Sequence, residues 1–148
     1  MITKLISLCL SKRLKRKTLG TQKEFIGETR YEYAISQSRN EVFLGLARTR
    51  PGFFFPSSDW QYFSFGSLHE CLEASKALCE AMIKLAEADD ENTRLQGSTI
   101  CPSFNKHEFR INRSKQTVTR HFQGYDRGGE NYPLQFFRQL LIEMEHPV

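Results

Sequence analysis

The sequence predicts an α+β fold made of two β-hairpin-plus-helix repeats, in which each antiparallel sheet is backed by one long helix. Apolar residues alternate with a period of two in two separate regions, and an amphipathic helical pattern follows each region. The two regions also superimpose at a constant offset. We expect a basic, flexible arm at residues 1–20, a first repeat at residues 21–92 and a second repeat at residues 93–148.

The first repeat contains three predicted strands. Residues 31–36 alternate between large apolar and smaller or polar side chains, which predicts a strand with one buried face. After a polar turn at residues 37–40, residues 42–47 continue the alternation in a second strand. Proline, glycine and serine residues then interrupt the alternating pattern. Residues 60–65 form a third strand, which is rich in aromatic residues. A weaker strand is indicated around residues 24–28.

Each repeat ends in a predicted helix. Residues 68–88 form the first one, and Ser67 with Glu70 three positions later is the pattern of a capping box. Residues 133–145 form the second helix, which Pro133 suits as a first position because proline lacks only an N–H that would be unpaired there. The apolar stripe of the first helix comprises Leu68, Cys71, Leu72, Ser75, Leu78, Cys79, Met82 and Leu85.

The second repeat aligns with the first at an offset of 76 residues. Residues 107–114 then match residues 31–38, and Val118 matches Val42. Arg120 falls on Leu44, which places a charge on the inner face of the sheet. This position predicts either a more open second half or a strand register shifted by one residue. The third strand of this repeat is shortened to residues 130–132.

Charge and cysteine content restrict the class of protein. The net charge is +4, distributed as +6 over residues 1–20, zero over 21–66, −5 over 67–92 and +3 over 93–148. The cysteines, Cys9, Cys71, Cys79 and Cys101, have neither CxxC nor zinc-finger spacing. We therefore expect reduced thiols, no metal and an intracellular, reducing compartment, either cytoplasm or nucleus, with organelle import left open. No apolar run approaches the length of a transmembrane helix, so none is expected.

The N-terminal segment has several interpretations. A short apolar stretch at residues 1–10 precedes a strongly basic one at residues 11–17. A secretory signal has the opposite order. The alternatives are a basic arm, an interfacial amphipathic helix, a nuclear-import patch and an organelle presequence.

The order of elements resembles the PUR repeat and the related Whirly-type folds, in which four antiparallel strands are backed by one helix. The residues that carry this resemblance are 30–36, 42–47 and 60–65 with the capped helix after them, and it covers residues 22–88 more closely than 98–146. The turn at residues 38–40 departs from the family because it lacks the usual glycine. The resemblance implies binding of single-stranded DNA or RNA on the sheet, and repeats or chains that interlock, as in a homodimer.

Single strands are bound by cations that contact phosphates and by aromatic rings on which bases stack. The candidate nucleic-acid contacts are Lys12, Arg13, Lys15, Arg16, Lys17, Arg39, Arg48, Arg50, Trp60, Tyr62, Arg110, Arg113, Lys115 and Arg120.

A different class of function is a small protein-binding module, such as an inhibitor, an immunity-type protein or a complex subunit. Its anchor would be the aromatic residues Phe53, Phe54, Phe55 and Trp60, which also suit an ordinary core. We expect no catalytic residue and no cofactor, because Cys101, His107 and His121 form no recognisable catalytic pattern.

Overall fold

A computed structural model describes residues 12–89, 91, 93–125 and 128–146. It contains two antiparallel four-stranded sheets and two α-helices, which confirms the predicted α+β class. The chain divides into two compact units, Met1–Glu73 and Ala74–Val148.

The first sheet contains four consecutive strands in the order in which they occur in the chain. They are β1 (Lys12–Glu24), β2 (Gly27–Gln37), β3 (Val42–Arg50) and β4 (Ser57–Phe65). The alternating segments at residues 31–36, 42–47 and 60–65 lie within β2, β3 and β4, as predicted. The helix α1 (Leu68–Glu87) follows the sheet, one residue shorter than predicted.

The basic segment before residue 20 is not a flexible arm where the structure describes it. Lys12 to Gly20 belong to β1, which pairs with β2 along its length, from Lys12 opposite Gln37 to Glu24 opposite Gly27. A basic sequence is compatible with this strand because β1 lies at the edge of the sheet, where its side chains stay largely exposed. The weak strand predicted around residues 24–28 is not one strand: it comprises the end of β1, a two-residue turn at residues 25–26 and the start of β2. Residues 1–11 of the predicted arm lie outside the described residues.

The helix α1 begins with one of the two bonds of the predicted capping box, while the Glu70 side chain bonds to Gly66 instead of Ser67. The backbone N–H of Glu70 donates to Ser67 Oγ at 3.1 Å, and the Glu70 carboxylate accepts from the N–H of Gly66 at 3.2 Å. Both bonds satisfy donors near the start of the helix that have no partner within it. The centre of the predicted apolar stripe is buried, namely Cys71, Ser75, Leu78, Cys79 and Met82. The cysteines Cys71, Cys79 and Cys101 are free thiols.

The second sheet has the same order of elements with shorter strands. They are β5 (Arg94–Gln96), β6 (His107–Asn112), β7 (Thr117–Phe122) and β8 (Glu130–Pro133), and the helix α2 (Leu134–Glu145) follows. Between β5 and β6 the chain makes two short 3-10 turns, Gly97–Thr99 and Pro102–Phe104.

The second compact unit has an aromatic core. The ring of Tyr132 lies 5.1 Å from that of Phe136 and 5.9 Å from that of Phe137, and all three side chains are buried. Within this unit, Arg113 Nε donates to the carbonyl oxygen of Leu85, near the end of α1, at 3.0 Å. Of the helices in the described ranges, neither has the length and apolar character needed to cross a membrane.

The capping bond gives a stability prediction. Replacing Ser67 by alanine removes the acceptor for the Glu70 N–H, and we expect the free energy of unfolding to fall by about 1 kcal/mol. Urea unfolding followed by the helical circular-dichroism signal measures this change. The exposed Ser98, replaced in the same way, is the control and should change stability little. Equal stability of the two variants would show that the cap contributes nothing.

Candidate nucleic-acid interface

One face of the first sheet carries two adjacent rows of side chains that come from all four strands. Directly paired residues of antiparallel strands project on the same side of the sheet, so the strand register defines each row. We call this surface the aromatic face. Its first row consists of Arg16, Ala34, Gly45 and Tyr62, and its second row of Thr18, Glu32, Ala47 and Trp60.

Three of the four positions on the central strands carry small residues, and three of the four positions on the edge strands carry large ones. Ala34, Gly45 and Ala47 on β2 and β3 leave space above the sheet, and the long side chains of β1 and β4 cover it. A Cβ atom on Gly45 would lie 2.9 Å from Tyr62 Cε1 and 3.0 Å from Trp60 Cζ3. The absence of a side chain at Gly45 therefore lets both rings lie down on the sheet.

The large side chains form a stacked array. The rings of Trp60 and Tyr62 have centroids 5.7 Å apart and are inclined by only 9°. The guanidinium carbon of Arg16 lies 5.2 Å from the centroid of Trp60, which is the geometry of a cation–π contact. A cation from one edge strand thus meets the aromatic pair from the other edge strand.

Glu32 holds Arg16 in this position from below. Arg16 Nε donates to Glu32 Oε2 at 2.7 Å, and the Glu32 side chain is only 4% exposed. This hydrogen bond raises the pKa of Arg16, against the opposing effect of burial. The other carboxylate oxygen of Glu32 is buried without a hydrogen-bond partner among the described residues. The guanidinium is therefore the principal compensation for a buried negative charge.

The covering side chains explain why the prediction of one buried face for residues 31–36 was wrong. All six residues are buried, so both faces of this part of β2 are shielded from solvent. The alternation correctly assigns residues 31–36 to the two sides of the strand. It shows which side carries polar residues, but it does not show whether that side is exposed to solvent. Glu32 is buried because Arg16 and the rings of β4 cover its side of the sheet.

The upper surface of the array remains open to solvent. Tyr62 is 42% exposed, Trp60 is half-buried, and the Arg16 side chain is 38% exposed. Arg13, which is exposed, lies on the same face opposite Ser36. Burial raises the pKa of Tyr62, while the positive charges of Arg13 and Arg16 lower it. Two cations therefore border a flat, accessible aromatic surface that offers stacking and a phosphate contact side by side.

The other basic candidates of the first unit lie away from this array. Lys15 and Lys17 pair with Ile35 and Tyr33, on the opposite face of the sheet, and Lys12 is exposed at the end of β1. Arg39 is exposed in the turn between β2 and β3. Arg48 and Arg50 both lie near the Asp59 carboxylate, at 3.5 and 3.6 Å.

The aromatic candidates separate into two groups. Phe53, Phe54 and Phe55 occupy the loop between β3 and β4 and are 83%, 91% and 83% exposed. They are not core residues, which was one of the sequence-based interpretations. Trp60 belongs to the array on the sheet and not to this loop.

In the second unit, the basic candidates are placed differently. Arg110 is half-buried on β6, and Lys115 is exposed in the turn between β6 and β7. Arg113 donates to the carbonyl oxygen of Leu85 and thereby serves a structural role.

The assignment of Arg120 as a surface contact is wrong. Arg120 is 2% exposed and lies directly opposite Glu130 of β8. Its Nε and Nη2 atoms donate to the two carboxylate oxygens of Glu130 at 3.0 and 2.7 Å, and Nη1 lies 3.0 Å from His107 Nδ1. The charge predicted on the inner face is thus real, and a buried bidentate ion pair compensates it. A phosphate has no access to this guanidinium.

Sequence reasoning missed two residues of the array, Glu32 and Gly45. Glu32 resembles any polar residue on the outer side of a strand. The isolated glycine in the middle of an otherwise apolar strand was the available signal, because such a position often marks a close approach of another group.

Comparison with known proteins identified no relative of this chain. The chain matches no family model, and no curated protein or solved structure is detectably similar to it. Within the described part of the chain, no three histidine, cysteine, aspartate or glutamate side chains are grouped as metal ligands.

The cluster around Arg120 predicts a pH dependence of stability. Burial, aided by the positive charge of Arg120, lowers the pKa of His107 from 6.5 to about 4. Between these two values the unfolded chain binds a proton that the folded protein does not. The free energy of unfolding therefore decreases as the pH falls from about 6.5 towards 4.

The matched variant is His107→Asn, which keeps an acceptor for Arg120 but does not titrate. We expect it to have a shallower loss of stability over this pH range than the unmodified protein, measured by urea unfolding at several pH values. The exposed His69, also replaced by asparagine, is the control and should leave the slope unchanged. Parallel pH profiles for all three proteins would contradict the prediction.

Proposed function

We propose that this protein binds single-stranded nucleic acid on the aromatic face, without catalysing a reaction. The observation that carries the proposal is the array of Arg16, Trp60 and Tyr62, with Arg13 beside it. A base stacks on an exposed aromatic ring whatever its sequence, and a neighbouring guanidinium neutralises the adjoining phosphate. A flat surface on the side of a sheet suits an unpaired strand, whose bases are free to turn outward.

The fold order is consistent with this function. Each half contains four antiparallel strands followed by a helix, the arrangement on which the resemblance to PUR and Whirly-type folds rests. In the proposed mode, Trp60 and Tyr62 contribute the stacking surface. Arg13 and Arg16 contact phosphates, and Glu32 is a positioning residue that keeps Arg16 beside Trp60. The exposed Lys12 and Lys17 of β1 contribute a more general attraction to the polyanion.

The exposed phenylalanines favour a second candidate function, a protein-binding module. Phe53, Phe54 and Phe55 lie outside the core, as an anchor for a partner would. This candidate predicts that binding of an oligonucleotide does not depend on Tyr62. The two functions are thus distinguished by substitutions at the array.

The proposal is tested by titrating the full chain with fluorescently labelled single-stranded DNA and RNA oligonucleotides. We expect Tyr62→Ala to weaken binding by about 1–3 kcal/mol, because one stacking surface is lost. Tyr125→Ala is the matched control, since Tyr125 is exposed but lies in the loop after β7, in the other compact unit. The fluorescence of Trp60, the single tryptophan, should change on binding.

Two further variants examine the mechanism. Replacing Arg13 by serine should reduce the slope of log affinity against log salt by about 0.7, the value for one phosphate contact with a single strand. Gly45→Ala should weaken binding by displacing both rings while keeping every ligand-contacting residue. If the unmodified protein binds no oligonucleotide at low salt, or if Tyr62→Ala and Tyr125→Ala behave alike, the proposed site is wrong.

A further inference from the structure

Five large apolar side chains are exposed at one end of the first sheet. We call this group the phenylalanine tip, and it consists of Phe25, Ile26, Phe53, Phe54 and Phe55. Phe25 and Ile26 form the turn between β1 and β2, and the other three lie in the loop between β3 and β4. Phe25 is 99% exposed and Phe54 is 91% exposed. The four phenylalanines therefore contribute almost nothing to the core.

The two chain segments of the tip are neighbours in space. A Cβ atom on Gly27, just after the first turn, would lie 3.0 Å from the Cβ of Pro51, which begins the second loop. The first turn and the second loop therefore project from the same end of the sheet. Their apolar side chains form one protruding feature and not two unrelated exposed positions.

The loop between β3 and β4 is closed tightly, which leaves its rings outside. A Cβ atom on Gly52 would collide with the carbonyl oxygen of Phe55, so only glycine fits at this position. Pro51 and Pro56 restrict the backbone on both sides of the turn. The three rings are exposed because the backbone of this tight loop is constrained and encloses no space in which they could be buried.

This amount of exposed apolar surface is unusual for a protein alone in water. A phenylalanine side chain carries roughly 150–250 Å² of surface, so four nearly bare rings together reach or exceed the upper part of the range of about 300–600 Å² for the largest apolar patch on typical monomers. Each ring of the tip is at least 83% exposed, so the rings are separated and do not pack on one another. A fluid apolar medium covers separated rings equally well, whereas a protein partner needs a matching pocket for each one.

Charged side chains lie at a distance behind the tip that suits lipid headgroups. Lys23 and Arg50 are exposed, two residues before Phe25 and three before Phe53. At about 3.3 Å per residue they lie roughly 7–10 Å behind the rings. An apolar segment at a membrane surface enters about 5–10 Å into the boundary between headgroups and acyl chains. Exposed cations at that depth meet anionic phosphates and carboxylates.

Acidic residues near the tip limit the net charge but do not reverse it. Glu24 and Glu28 lie on the first hairpin, and Glu24 accepts a hydrogen bond from Thr29. The Asp59 carboxylate is shared between Arg48 and Arg50. With Lys23 and Arg30 on the first hairpin, cations outnumber these acids by one. The small positive charge near the tip therefore favours binding to an anionic surface over binding to a cationic one.

From these observations we propose that the phenylalanine tip inserts into the interface of an anionic lipid bilayer, with Lys23 and Arg50 at the level of the headgroups. The inserted element is a pair of hairpin ends, so the chain docks on the surface of the membrane without crossing it. The aromatic face lies further along the same sheet, so membrane attachment and the proposed nucleic-acid binding use different residues.

The test is co-sedimentation of the full chain with vesicles of phosphatidylcholine alone and of phosphatidylcholine mixed with phosphatidylserine. We expect binding to both, and tighter binding to the anionic vesicles. The variant with Phe53, Phe54 and Phe55 all replaced by serine should lose at least about a hundredfold in partition, since each buried ring contributes about tenfold. Phe122→Ser is the matched control, because Phe122 is 46% exposed on the other sheet.

A second measurement reports where the tip lies. Phe54→Trp in a Trp60→Phe background places the single tryptophan at the tip, and its emission should shift to the blue on addition of anionic vesicles. Brominated acyl chains should quench that emission. Absence of vesicle binding, or binding that persists unchanged in the triple serine variant, overturns the proposal. Self-association abolished by the same variant, without vesicle binding, would assign the tip to a second copy of the chain instead.

The outcome is independent of the nucleic-acid proposal. Tyr62→Ala removes a stacking residue from the aromatic face and should leave vesicle binding unchanged. The triple serine variant should in turn keep its affinity for oligonucleotides. A protein that fails one test and passes the other therefore separates the two functions.

Discussion

The ion pair between Arg16 and Glu32 is the constraint on which the aromatic face depends. A carboxylate buried on the sheet is unfavourable without a cation beside it, and Arg16 is the cation that pairs with Glu32. The bond also fixes the position of the guanidinium, which then lies over Trp60. The ion pair thus compensates a buried charge and joins β1 to β2. The same guanidinium, through its contact with Trp60, joins β1 to β4 and orders the ring that is proposed to carry a base.

The sequence predicted the central strands and both helices closely, because those elements combine a clear period with a buried side. The alternation of residues 31–36 and 42–47 is retained in β2 and β3, and α2 begins one residue after the predicted start. The edge strand β1 was missed for a physical reason. Its side chains remain largely exposed on both faces, so no hydrophobic alternation is required of it and none is present. Pairing with β2 makes it a strand.

The candidate site was predictable by residue type but not by arrangement. Arg13, Arg16, Trp60 and Tyr62 were selected as cations and rings, yet their meeting depends on strand register across the whole sheet. Two irregularities in the pairing of β1 with β2 shift that register, and local sequence does not reveal them. The same holds for Arg120, whose partner Glu130 lies on another strand. The sequence periodicity correctly placed the Arg120 charge on the inner face of the sheet, but it did not predict that Glu130 pairs with it.

The position of β1 has a further consequence for how this protein behaves at high concentration. Among the described residues, no strand pairs with the margin of β1 that faces away from β2. An unpaired margin of a sheet is a template on which other chains can add as new strands. Six lysine and arginine residues repeat along its thirteen positions, and its two bulges interrupt a regular hydrogen-bonding ladder. Mutual repulsion and irregular geometry together discourage stacking of identical molecules. The lysine and arginine residues that would attract a polyanion therefore also oppose aggregation through this edge.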